Sequence, residues 1–145
     1  MRKKILFVII TIWIAFIFYN SLQTASESAA TSGMFANLIN DFFKLIGITI
    51  DVSSIIRKLA HVFEFFILST LLTFLFFEYN MQIKYKVLYT FFISLLVAIT
   101  DEVIQLFVEG RYGSAIDVLI DSIGIVIGIG IVTLFYYIKY RKKSK

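Results

Sequence analysis

The sequence predicts an all-α integral membrane protein: four transmembrane helices plus a short interfacial amphipathic helix. Three observations carry that prediction. The 145 residues are 59% hydrophobic, with a mean hydropathy of +0.88, against about 45–50% apolar residues in soluble domains. A soluble core this small cannot hide so much apolar surface, whereas a bilayer can. The apolar residues fall into runs long enough to cross about 30 Å of hydrocarbon, and the chain contains no proline to interrupt them. The whole chain, 1–145, reads as one membrane domain.

The first apolar run opens behind Arg2-Lys3-Lys4, contains Trp13 and closes at Asn20-Ser21, which predicts a span over about 5–22. A basic start and small residues near Ala25 also suit a cleavable signal. The length of the run and its bulky Phe16, Phe18 and Tyr19 favour an uncleaved signal anchor. Ser21 to Ser32 is polar and predicts a loop. Phe35, Leu38, Ile39, Phe42, Leu45 and Ile46 then recur at helical spacing opposite Asn37, Asn40, Asp41 and Lys44. That stretch is too short and too amphipathic to span, so an interfacial helix is expected over about 34–46, ended by Gly47.

The second span is expected over about 55–77, with Ser53 or Ser54 as its cap. Glu78 to Lys86 connects it to a third span over about 87–108. A tight turn, Glu109-Gly110-Arg111-Tyr112-Gly113, leads into the fourth, over about 114–138. The tail from Lys139 to Lys145 is basic. Both ends and the Glu78–Lys86 connection therefore hold most of the Lys and Arg, while Lys44, Arg57, Lys58 and Arg111 alone fall on the opposite side. The positive-inside rule then places both termini in the cytoplasm. The net charge of +4 is juxtamembrane in pattern and implies no nucleic-acid partner. The lack of cysteine excludes disulfides, thiolate metal sites and a thiol nucleophile.

Ionisable residues inside spans are costly and are functional candidates by default. Arg57, His61 and Glu64 share one face of the second span. Asp101, Glu102 and Gln105 lie near the end of the third, and Asp117 and Asp121 one turn apart at the start of the fourth, with Arg111 in the turn between. In the predicted topology all of them fall in the outer leaflet. His61, Glu64, Asp101, Glu102 and Asp117 are the candidate catalytic groups. Arg57, Lys58, Gln105, Arg111, Ser114 and Asp121 are the candidate substrate-binding groups. Pairing within the bundle, for instance of Arg57 or Arg111 with Asp117, is the plainer structural reading, and snorkelling to the headgroups is the plainer reading for Lys58 and Glu109. Gly124-x-x-x-Gly128, with Gly130 nearby, reads as close helix packing.

At these residues the chain resembles the VanZ-like family. The matching pieces are Arg57-Lys58-Leu59-Ala60-His61 with Glu64, Asp101-Glu102-Val103-Ile104-Gln105, and Gly110-Arg111 with Ser114, Asp117 and Gly124, together with Asn20-Ser21. Glu109 departs from the small residue or proline expected before Gly110-Arg111. The resemblance implies a multi-pass protein of the bacterial plasma membrane, linked to resistance to teicoplanin and related glycopeptides or to cell-envelope modification.

Three functional readings follow. As an enzyme, paired carboxyls and His61 would perform acid–base chemistry on a membrane lipid or lipid-linked cell-wall precursor. His61-x-x-Glu64 puts two ligands for a divalent metal on one face, a weak signal by itself, which leaves the cofactor open. As a binding or accessory protein, the same pocket would hold a lipid headgroup, a wall precursor or the glycopeptide antibiotic without turnover. As a carrier, the chain lacks the repeat and broken-helix signals of transporters.

Overall fold

A computed structural model describes residues 1–45 and 52–141. Five helices follow one another: α1 Arg2–Ser21, α2 Ala25–Leu45, α3 Ser53–Phe77, α4 Ile83–Gln105 and α5 Ala115–Arg141. Among the described residues there is no strand. Of the five helices, α1, α3, α4 and α5 are long and apolar enough to cross a membrane, so the protein is a multi-pass membrane protein.

The helix contacts make α3 the hub. It packs most extensively on α5 and also touches α4, α1 and α2. The α3–α5 seam is close because Gly124 and Gly128 face α3 without side chains. A Cβ at Gly124 would run into the Val62 carbonyl oxygen, and one at Gly128 into the Ser69 hydroxyl and the Phe66 carbonyl. Small residues let helix backbones approach in this way. Gly130, by contrast, faces open space and takes no part in the seam.

Phe65, Leu68, Ile125 and Ile17 form the fully buried centre, with Leu72 and Ala98 beside them. Ser69, Thr73, Thr90 and Ser94 are buried too, a use of small polar residues between helices that is common in membranes. The outward faces are apolar. On α1 alone, Ile5, Phe7, Val8, Ile12 and Phe16 are exposed. An apolar exterior around a partly polar interior is what a hydrocarbon solvent selects.

Contacts at the two ends show that successive spans run in opposite directions. Arg2 at the start of α1 pairs with Glu78 after α3 at 3.1 Å, and Lys3 lies over the Tyr79 ring. Tyr136 near the end of α5 stacks on Phe77 with ring centroids 3.9 Å apart, and Lys86 at the start of α4 sits over the same Phe77. The other end gathers the end of α1, the start of α3, the end of α4 and the start of α5, and it holds the polar residues.

The stretch expected to be a loop, Ser21 to Ser32, is mostly helix, because α2 begins at Ala25. The physical reason is a capping box, Thr24-Ala25-Ser26-Glu27. The Glu27 backbone N–H donates to Thr24 Oγ1 at 3.3 Å, and the Thr24 backbone N–H donates to Glu27 Oε2 at 2.8 Å. Ala25 N–H also donates to the Glu109 carbonyl at 3.3 Å, which ties the start of α2 to the α4–α5 turn. The side chains of the expected amphipathic stripe at Phe35, Leu38, Ile39, Phe42, Leu45 and Ile46 lie outside the described residues, as does the expected stop at Gly47. Helix α4 begins at Ile83, inside the expected connection.

The Thr24 side chain and then the Thr24 backbone N–H hold the Glu27 carboxyl below its ordinary range. A depressed carboxyl stabilises the helix start above its unfolded-state pKa and loses that effect as pH falls through the folded value. Protection of the first-turn amides of α2, measured against the unstructured-chain exchange rate at each pH, is therefore expected to fall at acid pH. Thr24→Ala is expected to lower that protection at neutral pH as well, and to flatten its pH dependence.

Candidate functional site

The polar end is assembled by turn chemistry as much as by the helices. After α4 the chain turns back through Gly113, where a Cβ would run into the Glu102 carbonyl oxygen. Only glycine lets the turn close this tightly on α4. Ser114 then caps α5, its Oγ accepting from the Ile116 N–H at 3.1 Å. The Ser114 N–H donates to Glu102 Oε2 at 2.7 Å, so a carboxyl on α4 fixes the entry to α5. Arg111, held in the turn, donates from Nε to Gln105 Oε1 at 3.3 Å. Gln105 in turn donates from Nε2 to Asp101 Oδ2 at 3.1 Å.

Across from this network, α3 presents Arg57, His61 and Glu64. His61 Nδ1 lies 3.8 Å from Asp101 Oδ2, beyond hydrogen-bond reach. Glu64 is held from α1: Asn20 Nδ2 donates to Glu64 Oε1 at 2.7 Å. Trp13 Nε1 donates to the Glu64 carbonyl at 3.0 Å, and Ser21 Oγ to the Asp101 carbonyl at 3.1 Å. The end of α1 therefore braces both acid-bearing helices.

Two cavities open onto these groups. The first, about 410 Å³, lies over α5 and the turn, with Arg57, Lys58, His61, Glu102, Arg111 and Asp121 on its walls. The second, about 340 Å³, lies under the start of α2, with Asn20, Glu64, Ser28 and Thr31 on its walls. Arg57, His61 and Arg111 border both. Both volumes fall in the range of small-molecule sites, about 300–1,000 Å³. Burial pushes the Arg111 guanidinium below its ordinary value, and the like charge of Arg57 adds to the effect. Two guanidiniums that repel each other across a shared wall form a place where an anion is welcome.

All eleven candidate residues come to this one end. Arg57, Lys58, His61, Glu102, Gln105, Arg111, Asp117 and Asp121 border the first cavity. Glu64 borders the second. Asp101 is buried behind His61 and borders neither, and Ser114 serves as cap and donor. The suggested pairing of Arg57 or Arg111 with Asp117 is not found among the described residues. Arg111 is drawn instead to the Gln105 carbonyl. Sequence reasoning missed Gln23, Ser28, Thr31 and Ser32, which face the second cavity, because their stretch read as a loop. The Thr24-x-x-Glu27 signature was the signal that could have placed them on a helix, where Ser28, Thr31 and Ser32 share one face.

Among the described residues no group of three His, Asp or Glu is placed to hold a metal ion. Residues 6–136 match the family model described as VanZ/LLP1, so the chain belongs to that family. Comparisons with curated proteins and with solved structures find no match.

Proposed function

We propose that this VanZ/LLP1 family member binds the head group of a membrane lipid or a lipid-linked cell-wall precursor in a polar pocket open to the outer leaflet, and that occupancy of the pocket underlies glycopeptide (teicoplanin) resistance or a related change to the cell envelope. The protein would sit in the bacterial plasma membrane with both termini cytoplasmic. The Lys and Arg bias of the connections supports that orientation.

One observation carries the lipid reading. An apolar groove of about 720 Å³ runs along α3 and α5, bordered by Leu59, Phe63, Phe66, Ile127 and Ile131, and it shares Ile56 and Ala60 with the second polar cavity. A hydrocarbon chain in that groove would bring its head group to the wall made by Arg57, His61 and Arg111. A phosphate or carboxylate there would relieve the repulsion of the two guanidiniums. Arg57→Ala together with Arg111→Ala is expected to strip the co-purifying lipid, read by native mass spectrometry, while the protein still inserts. Lipid retained at the wild-type level by the double variant would overturn the reading. Glycopeptide captured in place of lipid would assign the site to the drug.

A catalytic reading has one observation in its favour: His61 borders both cavities and is backed by the buried Asp101. Histidine is the side chain most often used to move a proton in catalysis, and this one faces both cavities. Envelope lipid whose mass changes with the wild type, and does not change with His61→Gln, would support turnover over simple binding.

A further inference from the structure

We propose that the first cavity recognises a zwitterionic head group, with a protonated amine against the Asp121 carboxylate and the anionic group against Arg57. The inference rests on the lipid-site reading above and names the class of head group.

Asp121 is fully buried, at 0% exposure, on the wall of the first cavity. Neither of its carboxyl oxygens accepts a hydrogen bond from the described residues. A buried carboxyl without a donor is a costly arrangement, and native structures rarely leave such a group unmet. Among the described residues the fold supplies no donor to it. One turn along α5 lies Gly124, which has no side chain and abuts the Val62 carbonyl, itself an acceptor. The charged neighbours that bear most on Asp121 are the carboxyl groups of Asp101, Glu102, Asp117 and Glu64.

On the same cavity, Arg57 has the complementary deficit. Its Nε is buried and finds no acceptor among the described residues. The charged group of like sign beside it is Arg111. The cavity is thus divided into a cationic wall on α3 and the turn, and an acidic wall on α4 and α5. An anion alone would answer Arg57 and worsen the field at Asp121. A cation alone would do the reverse. A ligand carrying a phosphate and an N–H donor on one short head group answers both.

The test uses the full chain in detergent, titrated by native mass spectrometry with phosphatidylethanolamine, phosphatidylglycerol and phosphatidylcholine. Phosphatidylethanolamine is expected to bind at least tenfold more tightly than phosphatidylglycerol, which has no amine. It is expected to exceed phosphatidylcholine as well, whose quaternary ammonium has no N–H to donate. Asp121→Asn should erase the preference and leave phosphatidylglycerol binding as it was, and Arg57→Gln should weaken every lipid. Equal binding of all three lipids to the wild type, weakened by Arg57→Gln, would overturn the zwitterion assignment and leave the lipid site standing. Binding of none would overturn both. The wild-type ratios decide the matter even where Asp121→Asn does not fold.

Discussion

Gly124→Leu is expected to unseat α5 from α3 and to leave little folded protein in the membrane. The new side chain has nowhere to go, because the first atom beyond the backbone already meets the Val62 carbonyl. Backbone cannot swing aside as a flexible side chain can, so the helices must separate. Overpacking of this kind typically costs about 1–3 kcal/mol, and here it also opens the seam that joins the two most extensively packed helices. The same substitution at Gly130 meets nothing within 4 Å and should fall within about ±0.5 kcal/mol, as surface changes do. Thermal melting of the two variants in detergent, with membrane abundance measured alongside, checks the contrast. Equal loss at both positions would sink the account of the seam.

The second large effect concerns Glu102. This side chain accepts from the Ser114 N–H at 2.7 Å and so locks the α4–α5 turn. Hydrogen bonds to a charged group are worth about 1.5–3 kcal/mol. Glu102→Ala should therefore lower the melting temperature and free the turn that carries Arg111. Glu102→Gln keeps a carbonyl acceptor for Ser114 and removes the negative charge from the cavity wall. It should fold nearly as well as the wild type and yet lose function. A stability loss with Gln as large as with Ala would mean that the charge itself holds the turn. Full function in Glu102→Gln would remove the acidic wall from the proposed role.

The class of fold was legible in the sequence because the bilayer makes an unambiguous demand. Backbone polar groups must be satisfied within each crossing segment, so long apolar runs such as Val87–Val97 and Ile123–Phe135 read directly as helices. The candidate polar residues were legible for a related reason, since charge within such runs is costly enough to be noticed. Their convergence at one end followed from the alternating direction of the spans. The partners were not legible. The short turn between the third and fourth spans made a pairing of Arg111 with Asp117 the plainer reading but could not show that Gln105 would claim the guanidinium. Nor could it show that Asn20 of α1 would claim Glu64. The start of α2 was missed because a run of Ser, Thr and Ala is weakly patterned, and only the pairing of Thr24 with Glu27 marks it. Cavities are a property of packing between helices, and no single helix face announces them.

The most direct measurement is the teicoplanin susceptibility of a sensitive host that expresses the wild type, Asp117→Asn or Glu102→Gln, with membrane abundance of each protein determined in parallel. Protection by the wild type that is lost in both variants at unchanged abundance is the predicted result, and it would locate the function in the polar cavity. Protection that survives in both variants at normal abundance would contradict the account, because the cavity's acidic wall would then be dispensable for what the protein does.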